Sequence, residues 1–330
     1  MSVGSRENIK RFKDHLETRF EVKTSIVGDG TEENKEGRVL NRIIRVTQDG
    51  WEYEPDQRHA EMIIESIGLQ NSKGVSTPAE EEKAWEELDN NEELEKEKAT
   101  LFRRIAARAN YLAADRPDVM YSVKEICRQM AKPTVKGWKQ LKRLARYLIM
   151  NPRTILEYPW QSRESEFEWF SDSDWAGCKR TGKSTSGGVI QIGEHFIKGW
   201  SKTQTSITLS SAEAELVAMC KLAAEMIGLG SMASDFGADM KILMYADSSA
   251  AIAIAKRRGA GKLRHINIGL LWIQNKTESD EITIKRVKGI SNPADMITKS
   301  VNREKLDKYM IMTKQKVVEG RAKESLKVKR

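Results

Sequence analysis

The sequence predicts an α/β protein in which a mixed β-sheet with flanking helices follows a mostly helical region. The first observation is the order of its second half, where β-rich runs alternate with helical stretches, a pattern typical of a mixed sheet. These runs lie at about 166–172, 187–193, 195–201, 241–246 and 282–287, and the helices begin near 211, 248, 264 and 293. The second observation is the almost continuous helical pattern of residues 100–150.

Composition narrows the class of protein. The chain has 330 residues, 39% of them hydrophobic, and a formal net charge of +8, which favours a polyanionic partner such as nucleic acid. Its three cysteines, Cys127, Cys178 and Cys220, are too far apart for a disulfide framework or a zinc site built on close pairs. No run approaches about 18 uninterrupted apolar residues, so no membrane partner is expected. The N-terminus lacks a signal peptide, so we expect an intracellular location, cytoplasmic or nuclear.

The N-terminal half shows recognisable local patterns. Residues 5–21 predict an amphipathic helix, and Val39–Val46 and Trp51–Tyr53 predict a hairpin around Asp49-Gly50. A helix is expected from Pro55 to Ile67. The acidic stretch up to residue 99 is interpreted as a surface linker or a solvated helix.

The stretch 134–150 predicts a helix with a basic stripe. Lys139, Lys142, Arg143 and Arg146 share one face, which suits a phosphate backbone, although an ordinary solvated face explains them equally well. We place a domain boundary near residue 160. The predicted parts are 1–160, 161–312 and a basic, disordered tail at 313–330.

Two acids follow the first strand of the second part. Asp172 and Asp174 are two residues apart, so both can point to one face of the strand. Only one is needed in a site, and Asp172 lies closer to the strand. A turn-forming role is the alternative for either residue.

Ser210-Ser211-Ala212-Glu213 resembles a capping box, with Ser210 as the N-cap and Glu213 reaching back to it. That leaves Glu215, which lies beside an apolar helix face, without a structural explanation. A carboxylate there is costly unless it is paired or binds metal. Glu215 is therefore the predicted ligand.

Two further acids lie at similar positions. Asp247 ends a strand and precedes a helix, and Asp295 lies near a helix start after Asn292-Pro293. Each has an alternative as a capping residue. Four such carboxylates in one domain predict a metal site for phosphodiester hydrolysis. Two Mg²⁺ ions about 3.5–4 Å apart would activate water and neutralise the leaving oxygen.

The motifs SDSDWAG, KSTSGG, SSAEAEL, YADSSAAIAIAK, RHINI and NPADMITK resemble the RNase H domain of copia-type LTR retrotransposons. The resemblance implies an RNase H-like five-stranded mixed sheet. It also implies that Asp172, Glu215, Asp247 and Asp295 are the metal-binding and catalytic acids, with Mg²⁺ as the cofactor and Mn²⁺ able to substitute. The implied reaction is endonucleolytic cleavage of the RNA strand of RNA–DNA hybrids, leaving a 3′-hydroxyl.

Upstream, ARANYLAADRPDVMYSV and MAKPTVKGWKQLKRLARYL resemble the reverse-transcriptase thumb and connection. The chain thus resembles the C-terminal part of a Pol polyprotein, whose remainder would be a partner. No Tyr-x-Asp-Asp motif is present, so no polymerase activity is expected. The family typically has a second His after His265, whereas this chain has Gly269-Leu270-Leu271-Trp272.

A hybrid would be recognised through its minor groove, 2′-hydroxyls and phosphates. Polar groups suited to this cluster between the first strand and the first helix of the second part, and ordinary polar turns explain them equally well. They are Lys183, Ser184, Thr185, Ser186, Lys202, Thr203 and Gln204. The basic loop of 256–258 and 262–264 suits phosphate contact, and His265 is a candidate for orienting substrate.

Two alternatives remain at this stage. One is a catalytically silent, nucleic-acid-binding remnant of a degraded element, favoured by the missing palm and second His. The other is an integrase-like fold, which also uses clustered acids on a similar sheet. The Glu on the helix after the hairpin and the fourth acid, Asp295, argue against the integrase.

Overall fold

The computed structural model describes residues 1–81, 92–162, 166–261 and 265–328. Most of the acidic stretch and the basic segment 262–264 lie outside these residues, so their interpretations stay predictions. The elements of the first half are α1 (Arg6–Arg19), β1 (Glu36–Val39), β2 (Arg42–Val46), β3 (Gly50–Glu54), α2 (Arg58–Ile67), α3 (Lys96–Ala113), α4 (Met120–Cys127), α5 (Val135–Met150) and β4 (Thr154–Pro159). Those of the second half are β5 (Glu166–Asp174), β6 (Thr185–Ile192), β7 (His195–Thr203), α6 (Ser211–Asp235), β8 (Lys241–Ala246), α7 (Ser249–Lys256), α8 (Trp272–Glu278), β9 (Thr283–Arg286), α9 (Asp295–Thr298), α10 (Arg303–Met312) and β10 (Gln315–Val317).

The first sheet has the strand order β1-β2-β3-β4-β10 and is antiparallel throughout. The single strand predicted over Val39–Val46 is wrong, because the chain reverses at Leu40 and Asn41, whose φ angles are 49° and 66°. Asn tolerates this left-handed conformation better than most residues. The result is an extra hairpin, β1-β2, before the predicted β2-β3 hairpin.

The last residues of the chain return to this first sheet. Gln315–Val317 forms β10 and pairs antiparallel with β4, with Gln315 opposite Leu156. The expectation of a disordered tail from residue 313 is therefore wrong for this segment. The basic charge of this segment suggested disorder. An edge strand needs only backbone pairing, which here joins it to a strand about 160 residues earlier in the sequence.

The second sheet has the order β7-β6-β5-β8-β9. β5, β6 and β7 are joined antiparallel, whereas β8 and β9 run parallel to β5. This confirms the five-stranded mixed sheet of the RNase H-like fold. The helix expected near 264 begins at Trp272 instead, after a 3₁₀ turn in which the side chain of Asn267 accepts from the Gly269 amide.

The second sheet separates two hydrophobic cores, as its alternating side chains require. Phe167 and Trp169 of β5 pack in one core with α6, α7 and α8. Phe170 points the other way, into a core shared with α3, α4 and α5 of the N-terminal half and with α9 and α10. The N-terminal half therefore covers one face of the second sheet, and Asp172 lies on that same side of β5.

Helix α6 is long and apolar enough to cross a membrane by length and composition alone. It also carries Glu213 and Glu215, and its residues Leu216, Met219 and Leu222 pack fully buried against the sheet. The core helix of a globular protein has the same composition.

Candidate metal centre

The structure brings three of the predicted acids together at one end of the second sheet. Carboxylate oxygens of Asp172, Glu215 and Asp247 lie within 4.8 Å of one another. They come from the end of β5, the second turn of α6 and the residue after β8. The neighbouring Asp174 is not part of this group.

Asp174 is the last residue of β5 and forms the start of the turn that follows this strand. The Asp174 carbonyl accepts from the Gly177 amide, and its carboxylate occupies the space that a Cβ at Gly177 would need. The choice of Asp172 over Asp174 therefore agrees with the geometry.

Glu213 makes capping contacts and Glu215 does not, as the capping argument predicts. The Ser210 hydroxyl accepts from the Glu213 amide at 3.2 Å, and the Glu213 carboxylate accepts from the Leu209 amide at 2.7 Å. Glu213 thus reaches one residue further back than expected. Glu215 accepts from the Ser173 amide through Oε1 at 3.1 Å, and its Oε2 is buried without a hydrogen-bond partner.

Asp247 does not cap the helix that follows it. Ser248 is the N-cap of α7, and its hydroxyl accepts from the Ala251 amide at 3.2 Å. The Asp247 carboxylate is left at the carboxyl end of β8, the edge of a sheet at which α/β proteins place their sites.

Asp295 reaches the centre by a different route. The side chain of the fully buried Asn292 donates to the Ser171 carbonyl at 2.8 Å and accepts from the Ala294 amide, which ties the start of α9 to β5. The Asp295 carboxylate then accepts from the Tyr309 hydroxyl at 3.1 Å. Asp295 is the first residue of α9 rather than the third as predicted.

A lysine joins Asp295 to Asp172. The Lys299 ammonium lies 2.7 Å from Asp295 Oδ1 and 3.6 Å from Asp172 Oδ2. The Thr298 hydroxyl also donates to Asp172 Oδ2. Sequence reasoning missed Lys299, although its position four residues after Asp295 on a helix is the spacing at which side chains meet.

Gly187 of β6 allows α9 to pack directly against this strand. A Cβ there would lie 2.6 Å from the Thr298 side chain and 3.0 Å from that of Ile297. Gly187 is the register partner of Asp172 on the adjacent strand. Gly187, the first glycine of KSTSGG, therefore positions α9, which begins at Asp295 and is followed directly by Lys299.

The electrostatics of the centre favour protonated carboxylates when no cation is bound. Burial raises the pKa of Glu215 to about 9, helped by the charges of Asp172 and Asp247. Burial likewise raises the pKa of Asp172 to about 7, against the opposing effect of Lys299. Burial tends to lower the pKa of Lys299, but the carboxylates of Asp172 and Asp295 outweigh it and raise that pKa.

The three-acid group fits a divalent cation. Carboxylate oxygens are the ligands that Mg²⁺ prefers, and the unpartnered Glu215 Oε2 is a buried polar atom whose desolvation a cation would offset. The three ionised carboxylates also repel one another, and a bound cation would relieve that repulsion.

Sequence comparisons find relatives of this chain among curated proteins. The chain is 26% identical over 257 residues to the retrovirus-related Pol polyprotein from transposon TNT 1-94 of Nicotiana tabacum, covering 76% of this chain and 19% of that protein. It is 30% identical over 207 residues to the corresponding polyprotein from transposon RE1 of Arabidopsis thaliana, covering 62% and 14%. The uncharacterized mitochondrial protein AtMg00810 of Arabidopsis thaliana is 33% identical over 174 residues, covering 51% and 68%. No protein-family model matches.

The homologues of this chain include copia-type, retrovirus-related Pol polyproteins from plant transposons. The chain spans only 14–19% of the length of the two Pol relatives above. Among solved structures, LC11-RNase H1 isolated from compost is similar with 16% identity and a TM-score of 0.31, covering 44% of this chain and 99% of that one. The RNase H-like fold of this chain is established by the order and directions of its strands.

The polar residues that were predicted to contact substrate divide into two groups. Ser184, Thr185 and Gln204 are buried and bonded inside the protein, so the prediction that they contact substrate is not supported. Ser184 bonds to Thr208, Thr185 accepts from Lys124 at 2.8 Å, and Gln204 donates to the Ala214 carbonyl. These short polar side chains shape the strand ends beside the metal centre.

The other predicted contacts are more accessible. Lys183 is half-buried and Lys202 is exposed. His265 is 42% exposed, with Nε2 3.4 Å from the Glu213 carboxylate, which places it near the N-terminus of α6. Their contact with substrate stays a prediction.

Part of the basic stripe of α5 makes contacts inside the protein. Arg143 pairs with Glu80 and bonds to the Thr77 hydroxyl, and Arg146 donates to the Lys73 carbonyl. Lys139 and Lys142 are exposed. Half of the stripe therefore anchors segment 73–80 to the helix, and phosphate contact by the stripe stays a prediction.

Proposed function

We propose that this chain hydrolyses the RNA strand of RNA–DNA hybrids as the RNase H part of a retrotransposon Pol protein, using a divalent metal ion. One observation carries the proposal: three carboxylates from three separate elements converge within 4.8 Å, and one of their buried oxygens has no hydrogen-bond partner. Burying these acids costs stability, and among the described residues the contacts of Ser173, Thr298 and Lys299 still leave Glu215 Oε2 without a hydrogen-bond partner.

Asp172, Glu215 and Asp247 would hold the ion, and Mg²⁺ is the expected one. When bound, a divalent ion lowers the pKa of a water molecule and offsets charge on the leaving oxygen. The chain's own contribution is to fix the ligands: the Ser173 amide orients Glu215 and the Thr298 hydroxyl orients Asp172. Asp295, held by Tyr309, is the fourth acid of the proposed catalytic set.

The hybrid is the proposed substrate, and residues 1–160 are proposed to act as a thumb and connection-like part that grips it. Lys139, Lys142 and Lys202 are exposed, and they are the proposed contacts to its phosphates. The remainder of the Pol polyprotein is a proposed partner, and an intracellular location stays a prediction.

The test is cleavage of a hybrid with a labelled RNA strand in Mg²⁺, compared with single-stranded RNA and duplex DNA. The wild-type chain should cleave only the hybrid RNA, and EDTA, Asp172→Asn or Glu215→Gln should each abolish cleavage. Asp174→Asn is a matched control, since it removes a carboxylate two residues along the same strand but outside the three-acid group.

Absence of cleavage by a folded wild-type chain would favour the silent, nucleic-acid-binding remnant instead. Cleavage that survives both Asp172→Asn and Glu215→Gln would place the site elsewhere.

A further inference from the structure

Lys299 divides the four acids into two unequal sets. Its ammonium lies between Asp295 and Asp172, at 2.7 and 3.6 Å. Asp295 is thereby paired, and its other oxygen accepts from Tyr309. The group formed by Asp172, Glu215 and Asp247 keeps the buried and unpartnered Glu215 Oε2.

The position of Lys299 is fixed by packing rather than by the ion pair alone. Asn292 fastens the segment before α9 to β5, and Gly187 lets α9 lie directly against β6. Thr298, the residue before Lys299, is fully buried and bonded to Asp172. The Lys299 side chain therefore starts from the C-terminal end of α9, where its ammonium reaches the carboxylates of Asp172 and Asp295.

We propose that the Lys299 ammonium takes the place of a second metal ion between Asp172 and Asp295, so that one divalent ion binds firmly at the three-acid group. A second divalent ion binds there only when Lys299 is displaced. This inference rests on the metal site proposed above, and it departs from the two Mg²⁺ ions that the sequence analysis predicts.

Charge balance supports the proposal. With all four acids ionised and Lys299 in place, one divalent ion leaves the centre with one net negative charge, whereas a second would make it positive. Two cations a few ångströms apart repel strongly when screening is weak, as at a half-buried position. The lysine thus sets how many ions the unliganded centre accepts.

The test is Mn²⁺ binding to the full chain, measured by calorimetry and by the loss of the free Mn²⁺ resonance signal, without substrate. The wild-type chain should bind one Mn²⁺ firmly and a second much more weakly. Lys299→Met should bind the second ion about 10-fold or more tightly than wild type does, the least that removal of one adjacent positive charge predicts.

Two further variants separate charge from folding. Lys299→Arg keeps the charge and should keep one firm ion, whereas Lys299→Gln keeps a hydrogen-bond donor without the charge and should behave as Lys299→Met does. Lys308→Met removes an exposed lysine on the adjacent helix and should leave Mn²⁺ binding unchanged.

Equal binding of two ions by wild type, or an unchanged second affinity in both Lys299→Met and Lys299→Gln, would overturn the role of Lys299 and leave the proposed metal site standing. A folded wild-type chain that binds no Mn²⁺ would instead overturn the metal site, and this inference with it.

Discussion

Replacing Glu215 by glutamine should stabilise the metal-free protein, although it removes a proposed ligand. In the folded chain the pKa of Glu215 is raised to about 9 from an ordinary value of 4.5. The folded state therefore binds the Glu215 proton more tightly than the unfolded chain does. The contribution of this group to stability is fully present below pH 4.5 and is lost as pH rises toward 9.

The size of the effect follows from linkage. At pH 7 the penalty is about 3 kcal/mol, since each pH unit above the unfolded pKa contributes about 1.4 kcal/mol. Glutamine keeps an oxygen for the Ser173 amide but buries an amide nitrogen, at a cost of about 1 kcal/mol. The net gain expected for Glu215→Gln is about 2 kcal/mol in the free energy of unfolding.

The assay is urea denaturation of wild type and Glu215→Gln in EDTA between pH 5 and 8, repeated in Mg²⁺. The advantage of the variant should grow with pH in EDTA. Mg²⁺ should stabilise wild type more than the variant, because only wild type retains the full ligand set. A variant that is less stable than wild type in EDTA, with no dependence on pH, would refute the argument.

Three further predictions concern the stability of the fold. Gly187→Ala should cost about 1–3 kcal/mol and weaken Mn²⁺ binding in calorimetry, because its Cβ meets α9, whereas Gly228→Ala, with open space around it, should not destabilise. Asp118→Asn should cost about 3–5 kcal/mol in urea denaturation by leaving the buried Arg116 charge unpaired, whereas Asp307→Asn in an exposed pair should cost under about 1 kcal/mol. Truncation after Met312 should lower the thermal midpoint by removing β10, and an unchanged midpoint would contradict the pairing with β4.

Local patterns were sufficient for the second sheet. Alternating hydrophobic runs predicted its five strands to within two residues at each end, and the Ser210 cap distinguished Glu213 from Glu215. Strand position selected Asp172. These features succeed because each depends on neighbours within about four residues in the sequence.

The misses depend on contacts between distant residues. Lys299 meets Asp172 across 127 positions, and β10 pairs with a strand in the first half. Ser184 bonds to Thr208 before α6, and Gln204 bonds to Ser186 of β6 and to Ala214 of α6, so their polarity suggested a surface that the fold does not provide. The Leu40-Asn41 reversal was missed for a different reason, since Leu seldom adopts a left-handed conformation.

Cleavage of an RNA–DNA hybrid by the wild-type chain and by Asp247→Asn in Mg²⁺ tests the central claim most directly. Asp247 meets the other two acids only through the fold, at the end of a different strand. Cleavage of the hybrid RNA by wild type and its loss in a folded Asp247→Asn variant is the predicted result. Equal cleavage by the two proteins would contradict the three-acid centre.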